Sequence, residues 1–215
     1  MVGCALLIAM DPHPAAAGVV DLPAVSTRTR KRHERRDRVY AAAIALFVER
    51  GFDDTSMDDI AARADLARTT VFNHVPRKAL FLEEWARRRR ERAADAIEGA
   101  SRSARPLREV LQRYFTGLAA VNTETRTETT ALMSRSLKAN DVFRGHTLGH
   151  DLAELITASG EPLRPSTDAA QVGRLLALGY YSAVVRWIQV EPAPFDLDRE
   201  LSAVLDTVLS GALPD

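Results

Sequence analysis

Residues 56–75 read SMDDIAARADLARTTVFNHV, and the fold turns on how this stretch must fold back on itself. Ser56 with Asp59 three positions on forms a capping box, and Asp58 and Asp59 suit the positive end of the helix that follows. That helix is predicted to run to about Ala64, with Ile60, Ala61 and Ala64 facing inward. Asp65 then stands where a tight turn is needed, and Asp tolerates left-handed backbone better than most non-glycine residues. A second short helix is predicted over about Ala67–Val75, ended by Pro76. Small inward residues, with Leu66, Val71 and Val75, would let the two helices cross closely. The outward set Arg68, Thr69, Thr70, Asn73 and His74 carries donors and acceptors whose reach suits base edges and phosphates.

Upstream, Val39, Ala43, Leu46 and Phe47 recur at helical spacing, and Gly51 stops that helix as a residue free to take positive φ. Seven basic residues precede it between Arg28 and Arg38, and residues 1–27 read as a flexible leader with Pro12, Pro14 and Pro23. Downstream, a helix is predicted from near Lys78 through the Arg87–Arg92 run to about Gly99. Further helices are predicted near Pro106–Val121, Thr125–Lys138 and Leu148–Ala158. Two stripes at helical spacing follow, one from Val172 through Tyr180 to Trp187 and one from Leu197 to Leu209. No segment alternates as a strand would. The fold class is all-α.

The 46% apolar and 27% charged residues fit a soluble globular protein. No apolar run approaches the roughly 20 residues that span a bilayer, so no membrane partner is expected. The apolar stretch Met1–Met10 lacks a basic leader and a clear cleavage site, so a secretory signal is not expected. Cys4 is the only cysteine, which rules out an intrachain disulfide and fits a cytoplasmic location. The net charge of zero hides a segregation: Arg28–Arg92 holds 17 Lys/Arg against 11 Asp/Glu, and the rest holds 12 against 18. One portion is therefore suited to a polyanion. No Ser-His-Asp motif, phosphate loop or cysteine cluster points to catalysis, and no cofactor is expected. His146 and His150, with Asp151 and Glu154 nearby, make only a weak metal-ligand pattern, and no metal is expected.

The stretch RDRVYAAAIALFVERGFDDTSMDDIAARADLARTTVFNHVPRKALFL, Arg36–Leu82, resembles the TetR-type regulators. The resemblance is carried by Phe47–Gly51–Phe52, Thr55–Ser56, Asp59–Ile60–Ala61, Thr70–Val71–Phe72–Asn73–His74–Val75, Lys78 and Leu80–Phe81. Two positions depart from the family's habit: Asp65 stands where Gly is frequent, and Phe72 where Tyr often bonds a phosphate through its hydroxyl. The resemblance implies a flexible tail (1–27) and a three-helix helix-turn-helix DNA-binding domain (28–82). It further implies a helical domain (83–215) for dimerisation and binding of a small apolar or amphipathic effector. The implied protein is a homodimeric repressor on a palindromic double-stranded DNA operator, released by that effector. Control by a protein partner, or a helical enzyme or carrier, are the alternatives.

The implied DNA-contacting set is Ser56, Arg68, Thr69, Thr70, Phe72, Asn73, His74 and Lys78, with Arg28, Arg30 and Lys31 from the basic run. That run either threads the minor groove or holds counter-ions near DNA. Lys78 is a cation at a helix start, a conflict that a bound phosphate would remove, so its replacement is expected to flatten the salt dependence of binding. Most of Arg87–Arg90 is expected to be solvated. Candidate effector-lining residues are Tyr114, Phe115, Met133, Phe143, His146, Tyr180 and Trp187, although each taken singly reads more readily as ordinary core. The last two stripes are expected to pair with their symmetry copies in a four-helix interface.

Overall fold

The computed structural model describes residues 27–98, 105–139 and 147–214; the side chains of residues 27, 28, 98, 138 and 139 fall outside that description. Of the sequence readings, the leader through residue 26, Phe143 and His146 lie outside the described residues. The order of elements is α1 (Thr27–Arg50), α2 (Met57–Arg63), α3 (Arg68–His74), α4 (Ala79–Glu98), α5 (Leu107–Glu124), α6 (Arg126–Ala139), α7 (Thr147–Ser159), α8 (Ala169–Ile188) and α9 (Leu197–Ala212). No strand occurs among the described residues.

Local chemistry sets the first three helices. Gly51 takes φ 92° and ends α1, its N–H bonded to the Phe47 carbonyl at 3.0 Å. The Ser56 hydroxyl accepts from the Asp59 N–H at 3.1 Å while the Asp59 carboxylate accepts from the Ser56 N–H at 2.8 Å, completing the capping box of α2. Asp65 takes φ 53°, and the Leu66 N–H reaches the Ala61 carbonyl at 3.1 Å while the Asp65 N–H reaches Ala62 at 3.2 Å. These paired bonds are a Schellman closure built on Asp instead of Gly. Backbone bonds hold the turn, and the Asp65 side chain is exposed.

α1 begins at Thr27, twelve residues before the apolar period at Val39. The basic run therefore continues α1 as solvated helix, and residues 29–38 are all exposed. Arg and Glu are good helix formers, and Arg30 pairs with Glu34 one turn on at 3.6 Å. Arg36 reaches Glu84 at 3.1 Å and Arg88 reaches Asp37 at 2.5 Å, tying the extension to α4.

The N-terminal head packs around Phe47, whose ring meets Phe52 at 4.9 Å and Phe81 edge-on at 6.1 Å. Val39, Ala43 and Leu46 of α1, Ile60 and Ala61 of α2, Val71 of α3 and Leu82 of α4 fill the surrounding space. Burial of each large side chain contributes about 1.5–3 kcal/mol. The other five helices and the far half of α4 make the body, where α7 and α8 form the most extensive pair. That closeness depends on Gly173, since a Cβ there would lie 2.3 Å from the Gly149 carbonyl oxygen.

Gly173→Ala must push α7 from α8 because the obstacle is backbone. A loss of about 1–3 kcal/mol is expected in thermal or urea unfolding; unchanged stability would contradict this packing.

Candidate nucleic-acid interface

α3 buries only Val71 completely and turns a polar face outward. Arg68, Thr69 and Asn73 are exposed, and Thr70, Phe72 and His74 are half-buried. Arg68 pairs with Asp58 of α2 at 3.0 Å and its guanidinium lies 5.3 Å from the centre of the Phe72 ring. Phe72 is thus a flank for Arg68. Thr69 and Asn73, four residues apart, share one face of the helix.

Burial, then the charges of Arg32, Arg35 and Arg36, hold the His74 imidazole below the ordinary histidine range. The basic end of α1 is therefore close enough for its charges to act on the C-terminal end of α3. Arg30 and Lys31 are exposed on this extension, and Arg28 lies on its first turn. A helical extension presents these charges along a rigid rod, whereas insertion in a minor groove as an extended arm would require it to unwind.

Ser56 and Lys78 have structural tasks. The Ser56 hydroxyl sits in the capping box and also donates to Asp59 Oδ2 at 2.5 Å. Lys78 Nζ donates to the carbonyls of Phe52 at 2.6 Å, Thr55 at 2.8 Å and Asp53 at 3.3 Å, and lies 4.5 Å from the Phe52 ring centre. Its three protons are all directed to the α1–α2 turn. Burial lowers the affinity of Lys78 for its proton, opposed by the Asp54 carboxylate. The conflict between Lys78 and the start of α4 is thus resolved inside the protein, by carbonyls, without a phosphate. Arg135 of α6 pairs with Asp53 of the same turn and lies 5.8 Å from the Phe52 ring centre. The turn that sets α2 is gripped from two sides.

Two cavities in the body are lined by described residues. The larger, about 530 Å³, opens between α4, α5 and α7; Ile97, Val110, Tyr114 and Leu155 form apolar wall, and the Arg90–Asp151 pair at 2.7 Å belongs to its polar part. The smaller, about 20 Å³, lies between α4, α6 and α8 and includes Met133 and Tyr180. Of the effector-lining residues expected from sequence, Tyr114, Met133 and Tyr180 therefore border cavities. Phe115 and Trp187 border neither and are buried at 0% and 3% exposure. His150 bonds Glu154 at 3.1 Å, and among the described residues no group of three His, Cys, Asp or Glu could hold a metal.

The Arg87–Arg90 run departs from the solvated face expected of it. Arg87 and Arg88 bind Glu84, Arg90 binds Asp151, and Arg89 is buried at 7% exposure. Its spacing carried the signal: Trp85, Arg89, Ala93 and Ile97 repeat every four residues on the buried face of α4.

A polar seven-residue helix crossing a capped partner over a shared apolar core is a helix-turn-helix, an arrangement that DNA-binding proteins use. Residues 39–84 match the family model described as bacterial regulatory proteins, tetR family. The match covers the helix-turn-helix head, which is a TetR-type domain. The chain is similar to the TetR-family transcriptional repressor FadR of Thermus thermophilus, solved in complex with lauroyl-CoA, with 27% identity over 84% of this chain and 96% of that one and a TM-score of 0.60. A TetR-family transcriptional regulator from Pseudomonas syringae pv. tomato str. DC3000 has 26% identity over 83% of this chain and 97% of that one, with a TM-score of 0.54. SmeT, the repressor of the Stenotrophomonas maltophilia multidrug efflux pump SmeDEF, shares the fold at 22% identity over 84% and 91%, with a TM-score of 0.62. No curated protein matches the chain in sequence.

Lys78→Met leaves three carbonyls without their donor, and a loss of about 1–3 kcal/mol is expected in unfolding experiments. DNA affinity should fall without a change in its salt slope. A slope smaller by about one counter-ion would instead put the ammonium on a phosphate.

Proposed function

We propose that the chain represses transcription as a homodimer on a palindromic operator and is released by a small apolar or amphipathic effector. The observation that carries the DNA reading is the exposed face of α3, with Asn73 and Thr69 side by side and the basic extension of α1 at its end. In this reading Asn73 reads an adenine edge and Thr69 and Thr70 contact bases or phosphates. Arg68 exchanges Asp58 for guanine or phosphate, Phe72 packs on sugar or a thymine methyl, and His74, Arg28, Arg30 and Lys31 face the backbone. The DNA-binding unit, 28–82, then ends inside α4, and 83–215 is the dimerisation and effector unit.

Dimerisation is supported by an apolar face left uncovered in one protomer. Leu175 and Leu178 on α8 are 48% and 43% exposed although that helix is otherwise well packed. α9 lies close against α8, so near that a Cβ on Gly179 would meet Val204. Two such helices from each protomer would make an isologous four-helix interface. Leu175→Arg with Leu178→Arg is expected to give monomers in sedimentation at micromolar concentration; a persistent dimer would place the interface elsewhere.

Effector binding is supported by the larger cavity, whose 530 Å³ lies in the range of small-molecule sites. α4 forms one wall of it and also contributes Phe81, packed on Phe47, to the core of the head. A ligand that favours one tilt of α4 would change the spacing of the two heads. The acyl-CoA-bound FadR and the efflux-pump repressor SmeT are repressors on this fold, which favours repression over activation here. No described helix is long and apolar enough to cross a membrane, and the cytoplasm is the proposed location.

Asn73→Ala is expected to weaken binding to the selected operator by about 1–3 kcal/mol and to relax preference at one base pair per half-site. Anisotropy titrations against the operator and scrambled DNA check it. Equal loss on both sequences would remove Asn73 from base reading.

A further inference from the structure

Arg89 is a buried cation with no carboxylate in contact with it among the described residues. Its guanidinium donates to Asn122 Oδ1 at 2.8 Å, Thr129 Oγ1 at 2.7 Å and Thr125 Oγ1 at 2.6 Å, all neutral acceptors. It lies 4.4 Å from the centre of the Trp85 ring. Glu128 is the acid whose charge it feels, yet that carboxylate accepts from the Trp85 indole N–H at 3.4 Å and forms no ion pair with Arg89. Arg89 Nε is buried without any partner. Burying a guanidinium among neutral groups costs several kcal/mol, which proteins usually offset with a paired anion. Asn122 passes the network on, its amide donating to the Tyr180 hydroxyl at 3.0 Å, so the cation sits where α4, α5, α6 and α8 meet.

The smaller cavity adjoins this cation. Its wall includes Arg89, Arg90 and Ser136 together with apolar Trp85, Met133 and Leu137, so a charged head meets both polar and apolar side chains there. At about 20 Å³ it accepts one water-sized group, so a larger ligand entering it must part α4 from α6. Arg90 forms part of the wall of both cavities, so the small site lies beside the roomy one.

We propose that Arg89 is the receptor for the anionic head of the effector, which is therefore an amphiphilic acid: a carboxylate, or an anion of like size, on an apolar body. The proposal rests on the effector reading above and gives it a chemical class. The acid places its oxygens against Arg89 Nε and Nη, replacing part of the bonding to Thr129 and Asn122. The apolar body extends past Arg90 into the larger cavity. The ligand thereby binds best when α4 has moved from α6, and α6 is the helix whose Arg135 grips the α1–α2 turn. Ligand affinity and head position become linked through that displacement.

Calorimetric titration of the full chain with octanoate, 1-octanol and octyltrimethylammonium tests the assignment. Octanoate is expected to bind at least about tenfold more tightly than 1-octanol, as a charge-assisted hydrogen bond requires, with the cation weakest. Arg89→Met should abolish the difference between octanoate and octanol while melting at or above the wild-type temperature, because an uncompensated buried charge is removed. Arg89→Lys should retain a reduced preference for the acid, which keeps the test open if the Met variant fails to fold. Equal binding of octanoate and octanol to the wild type overturns the anion site and leaves the effector reading intact. Absence of octanoate binding overturns it too, and a neutral compound that still frees the operator would then uphold the effector reading alone.

Discussion

α3 is too short to be a helix by itself. Seven residues close too few backbone bonds to repay nucleation, and isolated helices under about 12–15 residues are marginal in water. The helix exists because Val71 plugs into a core already organised by Phe47, Ile60 and Phe81, and because Ala61 and Ala64 leave room for it to approach. The same arrangement decides what faces outward. With Val71 fixed inward, Thr69 and Asn73 have no route to the interior and stay hydrated. The exposed polar face and the core are two sides of one packing solution.

That solution reaches into the body through α4. Near its start, Phe81 packs on Phe47 of the head; farther along, Ala93 packs so tightly on α5 that a Cβ on Gly117 would lie 2.9 Å from the Ala93 carbonyl oxygen. Lys78 before α4 and Arg135 on α6 both grip the turn between α1 and α2. The head is therefore mounted on two body helices, and any change in their separation strains the mount. A regulator needs such coupling of only a few kcal/mol, since a ligand shifts an equilibrium by its difference in affinity for the two states.

Most of the fold could be read because its determinants are local. The capping box at Ser56, the left-handed turn at Asp65 and the stop at Gly51 each act within a few residues, and the stripes on α8 and α9 follow from periodicity. The early start of α1 escaped notice because residues 29–38 carry no apolar period; their helicity comes from propensity and continuation, which pattern-reading ignores. Lys78 was legible as a misplaced charge, but its acceptors lie 23–26 residues away, so the remedy could not be seen. Arg89 was hidden in a run of four arginines whose chemistry is identical and whose burial differs completely. Phe115 and Trp187 are buried and border neither described cavity, a difference from Tyr114 that residue type does not reveal.

The proposal of a dimeric DNA reader is tested most directly by selection from a random double-stranded pool on the purified protein. Enrichment of an inverted repeat is expected, with half-site centres separated by about one helical turn or a multiple of it. Enrichment of no motif, or of a single half-site bound by one protomer, would contradict the paired presentation of α3.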